Sequence, residues 1–216
     1  MDLNTILLEL AKGMQVSIEI FAFTLIFSLP LGLVISFGRM AKNPIISTVT
    51  KFYISIMRGT PLMLQLMVVY FGPHYLFGMQ LSLSYRFVAA IIGFSLNYAA
   101  YFAEIYRSGI ESMPIGQYEA AKLLGYSRQQ TFIKIILPQV IKRILPSITN
   151  EVITLVKDTS LVIVISVMEM FSYAREIASA QGIITPFIIA GAFYYLFNLF
   201  VAFIMEKIEK KLSYYR

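Results

Sequence analysis

Two polar series carry the chemistry open to this sequence. Asn97, Tyr101, Glu104 and Ser108 fall at i, i+4, i+7 and i+11, and Ser147, Glu151, Thr154 and Asp158 repeat that spacing. On a helix each series lies on one face, and Tyr98 adjoins the first. Both series sit in strongly apolar surroundings, where an ionisable group at membrane depth is costly and rarely idle. Two matched polar faces imply a shared wet interior rather than contact with lipid. Glu104, Glu151 and Asp158 outnumber Lys157 along it, an excess of acid that suits a cationic group on a ligand. A zwitterionic amino acid with a basic side chain fits: its ammonium or guanidinium meets Glu151 or Asp158, and its carboxylate meets hydroxyls or exposed backbone N–H groups.

Each residue also has a structural alternative. Glu104 has Arg107 and Arg143 available for an interfacial salt bridge at a gate. Asp158 precedes a helix break at Thr159 and Ser160, where it caps the next helix or faces the ligand. Lys157 pairs with Glu151 or Asp158, or snorkels outward. Asn97 and Tyr98 serve equally as polar groups in helix packing. Glu151 has no cation at i±3 or i±4 and is the strongest candidate for ligand contact. The lone His74, beside Gly72-Pro73, has no second metal ligand, so no metal site is expected. With no cysteine there is no disulfide and no thiolate site.

These faces must be held by membrane helices. Of the 216 residues 58% are hydrophobic and only 14% charged, with mean hydropathy +0.72. A soluble domain is about a quarter charged, so lipid must be the solvent for much of this single domain, 1–216. Asp2 and Glu9 stand where a signal peptide would be basic, so the first apolar run reads as a retained span. A crossing helix needs about 20 residues. The apolar runs are Met14–Phe37, Gly59–Phe71, Phe87–Ala103, the stretch after Pro146, and Ile183–Met205, giving five spans in an all-α membrane protein. Leu161–Ala174 is too short for a sixth and reads as a re-entrant or interfacial helix. Fourteen basic residues, including Arg39, Lys42, Lys51 and Arg58 in the first loop and Arg216 in the tail, fall on one side; Lys12, Arg86, Lys157 and Arg175 fall on the other. The positive-inside rule puts the N-terminus outside and the C-terminus in the cytoplasm. Glu104 then lies near the cytoplasmic end, Asp158 near the outer end, and Asn97 and Glu151 at mid-depth.

The longest cytoplasmic loop, about 111–138, is polar and helix-prone. Pro114 and Gly116 break the chain before Gln117, which puts Glu119 in the first turn of a short helix. Ala120 to Leu124 are strong helix formers, and Gly125 stands where a helix C-terminal glycine belongs. Small side chains at Ala120 and Ala121 let a partner approach. The sequence thus specifies about two turns of helix, a glycine turn, and a second run that Pro138 modulates. An amphipathic helix lying on the headgroups is the alternative.

The spacing Glu119-Ala120-Ala121, Gly125, Ile135, Leu137-Pro138 resembles the cytoplasmic EAA loop of the membrane subunits of ATP-binding-cassette importers, whose short coupling helix docks on the ATPase. Arg58-Gly59-Thr60-Pro61 with Gln65 resembles the second conserved span of polar amino-acid permeases in that class. Asn97-Tyr98-Ala99-Ala100-Tyr101 with Ala103-Glu104-Ile105 and Arg107 resembles the third, and Lys157-Asp158-Thr159-Ser160-Leu161 a stretch after the fourth. The resemblance implies a five-span permease of a bacterial inner membrane that imports an arginine-, lysine-, histidine- or glutamine-like solute and is not itself an enzyme. It implies two P-loop ATPase subunits that bind ATP and magnesium, a second permease subunit identical or closely homologous, and an extracytoplasmic solute-binding protein, with no role for nucleic acid. This chain carries no G-x-x-x-x-G-K-[ST] of its own. Gln117, Glu119, Ala120, Ala121 and Gly125 are the expected coupling residues. An ion-coupled secondary transporter is the competing class, disfavoured because no inverted half-repeat is visible. A membrane scaffold without a pore is the third.

Overall fold

A computed structural model describes residues 2–212. Arg216 of the basic tail, and both ends of the domain expected over 1–216, lie outside them. The described residues are helical apart from short connections. In order they form α1 (Leu3–Arg39), α2 (Pro44–Gly59), α3 (Leu62–Phe77), α4 (Tyr85–Glu111), α5 (Ile115–Leu123), α6 (Arg128–Thr131), α7 (Leu137–Asp158), α8 (Met170–Gln181) and α9 (Thr185–Leu212). A π turn, Phe132–Ile136, joins α6 to α7, and a 3-10 helix, Thr159–Ile165, continues α7.

The axis of the fold is the pair α1 and α4. The buried stripe of α1 runs through Gly13, Ser17, Thr24, Ser28, Gly32 and Ser36, all small or hydroxylated. Such a stripe lets two backbones approach where no hydrophobic effect drives helices together. A Cβ on Gly32 would stand 2.8 Å from Phe102 Cβ and 3.0 Å from the Ala99 carbonyl, so the contact admits only hydrogen. Around it Ile20, Leu66, Phe94, Tyr98, Phe102 and Leu155 form the principal core.

Among the described residues three helices, α1, α4 and α9, are long and apolar enough to cross a bilayer, and the bent pair α2–α3 would make a fourth. The second span departs from the expectation that placed it over Gly59–Phe71. Gly59 instead ends α2, α3 begins at Leu62, and the two axes bend by 111°. Pro61 has no N–H and disfavours the helical region for the residue before it; Thr60 is extended, at φ −121° and ψ 151°. Lys51 and Arg58, expected in a loop, therefore stand on α2. The pair still links opposite ends of the bundle. Ser47 on α2 hydrogen-bonds Arg39 at the end of α1, and the Tyr85 hydroxyl at the start of α4 donates to the Val69 carbonyl of α3.

The segment Leu161–Ala174 is two pieces rather than one helix. The 3-10 helix stops at Ser166, which is left-handed at φ 57°, and α8 starts at Met170. Glu169, fully buried, caps α8. Its carboxylate accepts from the Phe171 and Ser172 backbone N–H groups and from the hydroxyls of Ser17, Ser172 and Tyr194. One acid thus ties α8 to α1 and α9.

Candidate functional site

Helices α4 and α7 run antiparallel. At one end Gly109 admits Ile144 so closely that a Cβ would lie 2.2 Å from the Ile144 Cγ2. Further along, the Tyr98 hydroxyl donates to Asp158 Oδ2 at 2.8 Å. Between these contacts lies a cavity of about 400 Å³. Tyr101, Glu104 and Ser108 line it from α4, Ser147 and Glu151 from α7, and Arg58 from the end of α2, with Arg107, Ser112 and Arg143 at its rim. The two polar series do share one space over these residues. Asn97, Tyr98, Thr154 and Asp158 lie outside that lining.

Glu104 is engaged by cations. Arg107 Nη2 donates to its Oε2 at 2.7 Å, and Arg39 of α1 approaches its Oε1 at 3.9 Å. Arg107 also pairs with Glu111. Arg143 is spent differently, donating to the Ser112 carbonyl at 3.0 Å. Glu104 is therefore the node of a latch between α1 and α4. Glu151 is half-buried, and among the described residues its side chain forms neither a hydrogen bond nor an ion pair within 4 Å. Lys157, on the same helix, is exposed. Asp158 makes no cap bond to the 3-10 helix and takes its hydrogen bond from Tyr98 instead. Asp158 thus meets α4 at Tyr98, the middle residue of that helix. The 3-10 helix continues α7, and the carbonyl of the residue that follows it, Ser166, accepts from Arg86 in the first turn of α4. Thr154 is exposed and its hydroxyl bonds back to the Asn150 carbonyl.

Asn97 is buried and points away from the cavity. Its Nδ2 donates to the Met57 carbonyl at 3.0 Å and to Gln65 Oε1 at 2.9 Å. The acid excess expected of the lining is also absent. The cavity brings Arg58, Arg107 and Arg143 together with Glu104 and Glu151. Arg58 was legible only as a loop cation and as part of a motif; its place in the cavity follows from the break at Pro61. Its guanidinium lies 5.3 Å from the centroid of the Tyr101 ring, a cation–π arrangement.

The loop expected to couple forms α5, but from Ile115, directly after Pro114. Gly116 is within the helix, and Glu119 is in its second turn rather than its first. Proline favours the first helical turns, and here it sets the start two residues earlier than the Gly116 break suggested. Gly125, at φ +79°, closes the helix: the Tyr126 N–H reaches the Ala121 carbonyl at 3.0 Å and the Gly125 N–H that of Lys122 at 3.1 Å, the paired bonds of a Schellman motif. Ser127 and Gln130 then form a reciprocal capping box for α6. The π turn precedes Pro138 and absorbs the mismatch a proline causes in a continuing helix. Gln117 and Gln139 exchange two amide hydrogen bonds of 2.9 Å, fastening α5 to α7. Ala121 is buried against its own chain, so Ala120 alone of the pair is open to a partner. Ile115, Leu123 and Leu124 project outward at 74%, 89% and 75% exposure. A cluster of large apolar side chains on a short helix marks a surface made for contact.

Residues 28–214 match the family described as binding-protein-dependent transport system inner membrane component. This chain belongs to that family. An arginine transport system permease protein of Bacillus subtilis is 39% identical over 203 residues, covering 94% of this chain and 91% of that one. A putative glutamine transport system permease protein of Rickettsia bellii is 35% identical over 207 residues, covering 95% and 94%. A crystal structure of an amino acid ABC transporter with histidines superposes with TM-score 0.87 at 30% identity, over 98% of this chain and 99% of that one. The inward-facing MetNI methionine ABC transporter shares the fold, with TM-score 0.70 at 16% identity. The chain is an integral membrane subunit, an amino-acid ABC permease and not itself an enzyme.

Proposed function

We propose that this chain forms half of the translocation path of an ATP-driven importer for basic amino acids in a bacterial inner membrane. The observation that carries the reading is the state of two carboxylates on α7. Glu151 borders an open cavity and, among the described residues, has no ion-pair partner within 4 Å; Asp158, two helical turns further along the same face, takes its hydrogen bond from the neutral hydroxyl of Tyr98. A half-buried carboxylate with no cation in direct contact is incompletely compensated, and a ligand ammonium or guanidinium supplies the closer charge. Arg58, on the opposite wall, offers a fork for the ligand carboxylate. The identity with an arginine permease supports the same class.

In this reading the chain crosses five times, with the N-terminus outside: α1, the bent pair α2–α3, α4, α7 with its 3-10 continuation, and α9. The charged face of α7 explains why hydropathy alone misses it. Two P-loop subunits bind ATP with magnesium and dock on α5, a second permease subunit closes the open side of the cavity, and a solute-binding protein delivers the amino acid from outside. Closure of the ATPase pair drives α5 and, through Gln117–Gln139, α7, biasing the site between two states.

The test is ATPase activity and uptake in proteoliposomes of this chain with its ATPase, permease partner and binding protein. Arginine, lysine or histidine should stimulate both, and Glu151→Gln should remove the response. Stimulation by glutamine alone would replace the basic class with a neutral one. That second reading draws on the glutamine permease relatives and on the three arginines around the cavity.

A further inference from the structure

The break in the second span leaves a specific debt in hydrogen bonding. In an unbroken helix the Met57 carbonyl would accept from the N–H of residue 61, and Pro61 has none. An unpaired carbonyl in a bundle interior is costly. Two side-chain amides settle it. Gln65 Nε2 donates to the Met57 carbonyl at 3.0 Å, to the Thr60 carbonyl at 3.1 Å and to the Thr60 hydroxyl at 2.8 Å. Asn97 Nδ2 donates to the same Met57 carbonyl at 3.0 Å and to Gln65 Oε1 at 2.9 Å. Asn97 is 4% exposed and Gln65 9%. The residue next to Met57 is Arg58, which lines the cavity.

We propose that Gln65 and Asn97 are positioning residues of the transport site: their paired amides hold the broken end of α2 so that Arg58 stands over Tyr101, facing Glu151. Neither amide needs to touch the substrate. Asn97 acts through Gln65 and the Met57 carbonyl, and Gln65 acts through the Met57–Thr60 backbone. The arrangement explains why an amide pair sits at mid-depth between two helices that are otherwise packed by apolar and small side chains. It deepens the reading above, since it assumes that the Arg58 cavity receives the amino acid.

The test uses the full complex and arginine as the probe. In Gln65→Leu and Asn97→Leu the half-saturating arginine concentration for ATPase stimulation should rise about ten-fold, while the maximal rate changes by less than about two-fold. Because the two act as one unit, the double leucine variant should be little worse than either single. The exchange Gln65→Asn with Asn97→Gln keeps both amides and their summed reach, and should recover most of the loss. A purely structural role would lower yield or maximal rate without moving half-saturation, and would overturn the proposal. A second measurement does not depend on the substrate. The chain has no native cysteine, so Arg58→Cys gives a single thiol whose labelling by a charged reagent reports the position of the α2 end. Adding Asn97→Leu should change that labelling rate several-fold. An unchanged rate overturns the brace even if arginine transport is confirmed. A changed rate in a complex that ignores arginine would keep the brace and reject the substrate.

Discussion

Tyr98 and Asp158, sixty residues apart, meet at 2.8 Å in the middle of the bundle. The bond lies at the last residue of α7. Beyond it the chain continues as the 3-10 helix Thr159–Ile165, thinner and longer per residue. The polar cavity lies wholly on the other side of this bond, toward the latch of Glu104, Arg107 and Arg39.

Tyr98→Phe and Asp158→Asn should separate packing from recognition. The phenylalanine removes the donor and leaves Asp158 without its hydrogen bond, a loss of about 2 kcal/mol. The asparagine keeps an acceptor for Tyr98 but removes the charge. Thermal unfolding of the purified complex should show a clear drop for the first and little change for the second. Arginine stimulation should be lost in the second. Equal melting losses in both would mean that the carboxylate is structural.

Glu169 gives a sharper stability prediction. Its two oxygens satisfy two backbone N–H groups and three hydroxyls in a site with no exposure. Glu169→Leu deprives the two backbone N–H groups and the Tyr194 hydroxyl of their acceptor, while Ser17 and Ser172 keep the Gly13 and Val167 carbonyls, and should cost about 4 kcal/mol. Tyr194→Phe removes one of them and should cost about 1–2 kcal/mol. Hydrogen exchange at the Phe171 and Ser172 amides is the readout. Protection unchanged in both variants would show that α8 is held by its apolar face alone.

The sequence exposed much of this architecture, and where it failed the reasons are local. The matched series on α4 and α7 were legible because a 3.6-residue period puts Tyr101, Glu104 and Ser108 opposite Ser147 and Glu151. The turn at Gly125 was legible from glycine chemistry. The role of Asn97 was not, because period places a residue on a face but does not say whether that face turns to a cavity or to a broken neighbour. The break itself was written at Pro61, inside a run that hydropathy counts as one span. Glu169 escaped because it lies outside any polar series and its side-chain partners beyond its own helix come from two elements distant in sequence, α1 and α9.

Two glycines should respond in opposite senses. Gly32→Ala forces a methyl group to within 2.8 Å of Phe102 Cβ and 3.0 Å of a backbone oxygen. Overpacking of that kind costs about 1–3 kcal/mol, and here it separates α1 from α4. Gly191, within α9, has nothing within 4 Å of an added Cβ. Gly191→Ala should be neutral or stabilising by up to about 1 kcal/mol from helix propensity. Melting of the two variants side by side checks this. A Gly32→Ala protein as stable as its parent would mean that the α1–α4 contact is loose.

The proposed coupling surface can be split into two mechanical parts. Leu123 and Ile115 are largely exposed, so aspartate at either should leave the fold untouched while removing apolar area from the proposed docking surface. Leu123→Asp and Ile115→Asp should therefore insert in the membrane normally and fail to co-purify with the ATPase. Gly125 is different, because its φ of +79° strains any residue with a Cβ. Gly125→Ala should cost about 1–2 kcal/mol at the turn, loosening the angle between α5 and α6 without removing the docking surface. Its complex should assemble, yet show ATP hydrolysis that responds weakly to amino acid. Gly125→Pro and Glu119→Lys, which disturb the turn and the charge of α5 more severely, should abolish uptake. If the aspartate variants bind the ATPase as tightly as the parent, α5 is a headgroup-surface helix and the coupling contact lies elsewhere.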